Sequence, residues 1–210
     1  MRAYIYTGGV IDAANITDHP KGEDLVIAAD SGWNNAIALG EHPTILLGDF
    51  DSLGEENIPK GVEIYRVPAE KDLTDTQLAV DLALSKGARD IVIVGGLSGR
   101  LDHTLSNLAI LEHLEAMKVH CIITDGCNRA RFIRNNSTLI PRGAYQYLSL
   151  IAADPVVKGV EIDGVKYPLK KAKLCRDHQY AVSNELTGNC AFIAVKKGGL
   201  YIIESKDGTR

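Results

Sequence analysis

What most constrains the fold of this chain is a change of rhythm part-way along it. As far as Asp125, the short apolar runs "AYIY", "DLVIAAD", "TILLGD", "VEIYRV", "DIVIVGG" and "HCIITD" alternate with the helical patterns "SGWNNAIALG", "TDTQLAVDLALSKG" and "HTLSNLAILEHLEAMK". Strand-length runs alternating with helix-length patterns read as β-α units, which build a mainly parallel sheet with helices on its faces. Thr74-Asp75-Thr76-Gln77 has the capping-box pattern at the start of the second helix, and Gly87 stands where that helix should end. In the third, Leu105, Leu108, Leu111 and Leu114 recur at three-residue steps, broadened by Ala109 and Ile110 into a face expected to be buried.

From Tyr145 the helical rhythm is gone. "YQYLSLIA", "VVKGVEI", "VKYPL", "YAVSN", "CAFIAVK" and "LYIIE" are short, rich in β-branched and aromatic residues, and separated by turn signals. Asp163-Gly164 and Gly198-Gly199 suit tight hairpins. The expectation is an α/β, Rossmann-like and mainly parallel domain over residues 1–134, followed by a small antiparallel β-sandwich over 135–210. The join is placed in "RNNSTLIPRG", which is polar and carries Pro141 and Gly143. No internal repeat interrupts this plan.

A length of 210 residues is enough to bury a core in each half, and the formal net charge of −4 offers no basic surface to nucleic acid or anionic lipid. A phosphorylated small molecule would therefore have to be held by local cations, a metal or backbone amides. No segment approaches membrane-spanning length, and the run in "MRAYIYTGG" is too short for a signal peptide. Cys121, Cys127, Cys175 and Cys190 form no C-x-x-C pair and no zinc spacing with histidines. Free thiols in a reducing cytoplasm are the simplest reading.

In an open parallel sheet, ligands bind beyond the carboxyl ends of the strands. Acidic residues gather there. Asp30 follows "LVIAA", Asp49 and Asp51 follow "ILLG", Asp72 and Asp75 lie in "EKDLTDTQ", Asp102 in "GGLSGRLDH", and Asp125 follows "CIIT". Any one alone reads as a cap or turn residue. Asp49, Asp51, Asp72, Asp75 and Asp102 on one rim would repel one another, and a hard cation shared with phosphate oxygens relieves that repulsion. The set therefore predicts a Mg²⁺ site for a phosphorylated ligand.

"GGLSGR" follows a strand and precedes a helix, so its backbone N–H groups can approach phosphates, with Arg100 as an adjacent fixed charge. No Gly-Lys-Ser/Thr closes it, so it is not a Walker A loop. Read alone, it is a tight strand-helix turn.

The ordered series "AADSGWNNA", "LLGDFDSL", "EKDLTDTQLA", "GGLSGRLDHTLSNL", "GVKYPL" and "AVSNEL" resembles the thiamine pyrophosphokinase family, from about Asp24 to the end of the chain. The resemblance implies an α/β catalytic domain, a β-sandwich, and a homodimer with active sites at the subunit interface. It also implies transfer of pyrophosphate from ATP to thiamine, giving thiamine diphosphate and AMP. By position it makes Asp49, Asp51 and Asp75 magnesium ligands, with Asp72 and Asp102 in the same site. It sets Lys71, Arg100, Gly95 and Gly96 beside the ATP phosphates and Asp30, Gly32 and Asn34 on the nucleotide side. Ser183 and Asn184 become thiamine contacts, with Tyr167 where some members have Trp. Ser31 departs from the family's D-G-G.

In such a reaction Arg100 and Lys71 would stabilise charge on the transferred group, while Asp75 or Asp102 would accept the hydroxyl proton. His103, at a helix start beside Asp102, reads as an orienting or capping residue, and Trp33 as either a stacking or a core residue. Apart from the resemblance, Ser183-Asn184 reads as a turn that satisfies its own backbone. Two other readings of the residues stand beside this one. A metal-dependent phosphohydrolase would use the same carboxylates against water, and a nucleotide sensor would use the β-rich half to bind a partner.

Overall fold

The computed structural model describes residues 1–50, 61–67 and 72–207, and its contacts divide the chain between Gly126 and Cys127. In the first unit every expected apolar run is a strand. These are β1 (Arg2–Tyr6), β2 (Leu25–Ala29), β3 (Ile45–Gly48), β4 (Glu63–Arg66), β5 (Asp90–Val94) and β6 (His120–Thr124). The helices are α1 (Gly32–Ala38), α2 (Asp75–Ser85) and α3 (Leu101–Ala116). All five strand pairings are parallel, in the order β4-β3-β2-β1-β5-β6. After their first residues, β1, β2 and β5 are buried throughout, so both faces of the sheet are covered, as parallel strands require.

One face is partly defined by Tyr4, Tyr6, Val26, Val92 and Val94, clustered with Ala36 of α1. Side chains of the other parity, Ile5, Ile27, Ile91 and Ile93, are fully buried too. Each such residue contributes roughly 1.5–3 kcal/mol on leaving water. Helix α2 packs on β1, β2 and β3, and α3 on β6. The cap of α2 forms as its sequence indicates. Thr74 accepts a hydrogen bond from Gln77 N (3.2 Å), and Gly87 follows the C-cap residue Lys86. The buried stripe of α3 is rotated from the expected one. Asn107, Ile110, Leu111 and Leu114 face inward at steps of three and four, while Leu105 is 58% exposed. A strict three-residue step drifts around a helix of 3.6 residues per turn, which carries Leu105 to the surface.

The second unit holds β7 (Asn128–Arg134), β8 (Ser137–Pro141), β9 (Tyr147–Ala152), β10 (Val156–Asp163), β11 (Leu169–Cys175), β12 (Cys190–Lys197) and β13 (Gly199–Ser205). Antiparallel β7-β13-β9 and antiparallel β11-β10-β12-β8 enclose one core, which includes Leu148, Leu150, Ile162, Ala191, Ile193, Val195, Leu200 and Ile202. That is a β-sandwich.

Several details differ from the sequence reading. The join was expected after Arg134, but β7 pairs along its length with β13 and so belongs to the second unit. The stretch read as a linker contains β8. "YAVSN" contributes only an isolated bridge at Asn184, and "VKYPL" one at Val165 before its last residue, Leu169, opens β11. Gly198-Gly199 makes no hairpin, because β12 and β13 lie in different sheets and the chain crosses between them there. Asp163-Gly164 is likewise no two-residue turn, since β11 begins only at Leu169.

The inner face of the sandwich also carries a buried ion pair. Arg131 registers opposite Ile202, and its Nη2 donates to Glu204 Oε2 at 2.7 Å. The side chains are 13% and 5% exposed. Burial pushes the Arg131 pKa down, and the Glu204 carboxylate opposes that shift. Arg131→Met, which strands the Glu204 charge, should lower stability by about 3–5 kcal/mol, whereas replacing both partners by apolar residues should restore most of it. Urea unfolding of the full chain followed by circular dichroism measures both; equal losses in the single and double variants would show that packing, not charge, sets the effect.

Candidate active site

The order β4-β3-β2-β1-β5-β6 reverses direction between β1 and β5, because β1 connects toward one edge of the sheet and β5 toward the other. The loops leaving these two strands part there and open a crevice at their carboxyl ends. A cavity of about 750 Å³ occupies it. Its wall comes from Thr7, Gly8 and Gly9 after β1, Asp30 and Ser31 after β2, Asp49 after β3, Asp72 to Thr76 at the start of α2, and Gly96, Ser98, Gly99, Arg100 and His103 around the start of α3.

The two loops are tied to each other and to the helices behind them. Gly95 (φ 98) passes so close to the first loop that a Cβ would lie 2.7 Å from the Thr7 carbonyl oxygen. Ser98 Oγ accepts from Val10 N at 2.8 Å and donates to Val10 O at 3.0 Å. Asn35 Nδ2 donates to Thr7 O (2.7 Å) and Gly9 O (3.0 Å), and Asn107 Nδ2 donates to Gly96 O (3.0 Å). Gly96 N also donates to Gly8 O (3.2 Å), so the backbone N–H groups of these turns that carry no such bond among the described residues are those of Gly8, Gly9, Ser98 and Gly99 in the wall, with Leu97 beside them.

Asp30 is held in the left-handed region (φ 47) by bonds from its N to Leu47 O and from Trp33 N to its O. Its Oδ1 is buried without a hydrogen-bond partner among the described residues. A strained backbone and an unsatisfied carboxylate oxygen at one wall position mark a place for a cation or donor from a ligand. Asp49, Asp72 and Asp75 line the same cavity. Among the described residues no three Asp, Glu, His or Cys side chains converge closely enough to hold a metal by themselves.

Arg100 reaches the wall and is paired with Asp102, Nη2 to Oδ2 at 2.6 Å and Nε to Oδ1 at 3.1 Å. These bonds hold the Asp102 carboxyl down at a pKa of about 2. The sign is that of a depressed acid, so the pair persists at ordinary pH and is lost only as pH falls toward 2.

The positions expected from sequence fall into four groups. Asp30, Asp49, Asp72, Asp75, Gly96 and Arg100 share the cavity. Gly32, Asn34, Gly95 and Asp102 are not part of its wall. A Cβ on Gly32 would collide with the Tyr6 carbonyl, so that glycine lets α1 pack on the end of β1. Asn34 is exposed, and its neighbour Asn35 makes the loop contacts. Asp51 and Lys71 lie outside the described residues. Tyr167, Ser183 and Asn184 belong to the second unit, where Tyr167 and Asn184 line a small cavity of about 120 Å³ with Leu150, Ile162, Tyr180 and Val182. Tyr167 is 70% exposed, and Asn184 is buried. Asn184 Oδ1 accepts from Tyr167 N (3.1 Å) and Glu185 N (3.0 Å), and its Nδ2 donates to Tyr167 O (2.8 Å). It thus fixes the Tyr167 backbone. Ser183 sits at φ 56 with its N bonded to Ser149 Oγ.

The sequence reading passed over Thr7-Gly8-Gly9, Asn35, Ser98 and Asn107. A glycine pair directly after the first strand was the available signal for the loop; the three side chains that tie it carry none.

A family model for the thiamin pyrophosphokinase catalytic domain matches residues 18–123, and one for the thiamin pyrophosphokinase vitamin B1 binding domain matches 136–200. The chain belongs to the thiamine pyrophosphokinase family. Thiamine pyrophosphokinase from Bacillus subtilis is 29% identical over 207 residues, 92% of each chain. Its crystal structure superposes with a TM-score of 0.89 at 27% identity, covering 99% of this chain and 100% of that one. That of the Geobacillus thermodenitrificans thiamin pyrophosphokinase gives 0.86 at 27%, covering 100% and 99%. The α/β unit and the β-sandwich are thus the family's two domains in the family's order.

Asn35→Leu removes the donor shared by Thr7 and Gly9 and leaves two carbonyls unsatisfied. It should weaken the binding of any anion on this loop by about threefold to tenfold, in line with roughly 0.5–1.5 kcal/mol for a hydrogen bond that is only partly buried. Titration with a fluorescent ATP analogue measures it; unchanged affinity would show that the loop holds its shape without Asn35.

Proposed function

We propose that the switch-point cavity binds ATP with Mg²⁺ and that the chain transfers the β,γ-pyrophosphoryl group to the primary hydroxyl of thiamine. The observation that carries this reading is the wall itself, where two glycine turns, four carboxylates and one arginine meet in a space of about 750 Å³. The family models for a catalytic and a vitamin B1 binding domain support it, as does the similarity to thiamine pyrophosphokinases along the chain.

The donor set suits the cation. Asp30 Oδ1 is a buried oxygen in the wall with no hydrogen-bond partner among the described residues, and Mg²⁺ takes one or two carboxylates and completes its shell with phosphate and water. One or two of Asp49, Asp72 and Asp75 would hold it, with phosphate and water completing the shell and Asp51 outside the described residues. When bound, the ion supplies positive charge to the phosphate oxygens.

The chain's own residues do the rest. Backbone N–H groups of Gly8, Gly9, Ser98 and Gly99 receive the polyphosphate, and Arg100 and Lys71 meet the charge that develops on it. The thiamine oxygen bonds to the β-phosphorus as the bond from that phosphorus to the α,β-bridging oxygen breaks, and the electron pair leaves with AMP. The hydroxyl proton passes to a carboxylate of the wall, for which we assign Asp75 because it lines the cavity and Asp102 does not. The second unit supplies thiamine contacts through Tyr167 and Ser183, with Asn184 holding Tyr167 in place. The assembly is a homodimer in the cytoplasm, a setting consistent with four free cysteines.

Incubation with ATP, Mg²⁺ and thiamine should yield AMP and thiamine diphosphate in equal amounts. Phosphate or pyrophosphate released without thiamine would indicate a hydrolase instead. Asp49→Asn should lower turnover by more than about a hundredfold with the melting temperature kept or raised, since it removes a repelling charge; near-normal turnover at saturating Mg²⁺ would remove Asp49 from the metal site.

Asn184→Ala should raise KM for thiamine roughly five- to a hundredfold while KM for ATP changes little. Steady-state kinetics with each substrate varied in turn decides it, and the opposite pattern would place the substrates in the wrong units.

A further inference from the structure

Resting on the pyrophosphokinase reading, the geometry points to Asp102 as a positioning residue that holds the Arg100 guanidinium for the ATP polyphosphate, and not as a metal ligand or the proton acceptor. Arg100 and His103 line the cavity, and Asp102 between them does not. Its carboxylate is occupied on both oxygens: Oδ1 accepts from Arg100 Nε (3.1 Å) and His103 N (2.9 Å), and Oδ2 accepts from Arg100 Nη2 (2.6 Å). The bond from His103 N fixes the carboxylate to the first turn of α3. The side-on pair then fixes the guanidinium, whose Nη1 edge has no partner among the described residues.

Fold stability does not explain the pair. The side chains are 73% and 63% exposed, and ion pairs so open to water contribute little. Arg100 is also the N-cap residue of α3 and makes no side-chain cap. A long, mobile side chain at the rim would lose much freedom on meeting phosphate. Asp102 removes part of that freedom beforehand, and an arginine fork so held presents its free edge in one orientation.

The test is a double-mutant cycle of Asp102→Asn and Arg100→Ala on the full chain, preceded by showing that the unmodified protein makes AMP and thiamine diphosphate. Failure of that first step would reject the functional reading and not this one alone. Asp102→Asn should lower kcat/KM for ATP roughly ten- to a hundredfold, the size of effect that misplacing a charged group produces. In the Arg100→Ala background the same change should have less than about a twofold effect. The Mg²⁺ concentration for half-maximal rate and the pH profile of kcat should not move. ATP binding in EDTA, followed with a fluorescent analogue, should weaken in Asp102→Asn by a similar factor, because the arginine acts without metal. Additive effects in the cycle, a raised Mg²⁺ requirement, or binding in EDTA that is unchanged would each overturn the proposal. If Asp102→Asn is less stable than the parent protein, Asp102→Ser in the same EDTA titration decides the question.

Discussion

The parting of the chain between β1 and β5 is the constraint on which the rest of the first unit depends. Parallel strands need crossovers, and where crossovers run to opposite edges no helix can cover the gap between their first loops. The gap would be a defect unless its edges were stiff. Here Gly95 brings one loop against the other, the Ser98 hydroxyl joins both backbone atoms of Val10, and Asn35 and Asn107 anchor the loops to α1 and α3. These bonds tie the two loops to each other and to the helices behind them.

Electrostatics then decides what can occupy it. Asp30, Asp49, Asp72 and Asp75 line the wall, and Arg100, the arginine there, is already paired with Asp102. A polyanion entering this cavity meets net negative charge, so a cation bound beside it would strengthen its binding. Backbone amides of the glycine turns and the free edge of the Arg100 guanidinium are the groups left there to meet an anion. This is consistent with a net charge of −4, which offers no broad basic surface.

The parallel unit was largely legible in the sequence because burial on both faces makes its strands near-continuous apolar runs, which alternation with helices then punctuates. The β-sandwich was legible as a class but not strand by strand. β7, "NRARFIR", carries three arginines, and one of them, Arg131, points inward against a buried glutamate, so its pattern hides a core face. β11, "LKKAKLC", is an edge strand whose lysines face water. Conversely, "YAVSN" has strand composition but is held beside β9 by scattered bonds, with Ser183 at positive φ. The carboxylate wall was readable because Asp residues ending successive parallel strands must meet at one end of the sheet. What could not be read was the division of labour between neighbours: Asn35 and not Asn34 turns to the loop, and Asp102 turns to Arg100 and away from the cavity. One residue along a helix is a rotation of about 100°, and composition does not report it.

The central claim is that the crevice between β1 and β5 holds the polyphosphate of ATP beside the aspartates. A crystal structure with Mg²⁺ and the α,β-methylene analogue of ATP, which cannot break at the bond the reaction cleaves, tests it most directly. The account predicts phosphate oxygens against the backbone of Thr7–Gly9 and Gly96–Gly99, the cation on carboxylates that include Asp49 or Asp75, and Arg100 in contact with phosphate while still paired with Asp102. An analogue bound with its phosphates elsewhere on the chain, leaving that crevice to water, would contradict it.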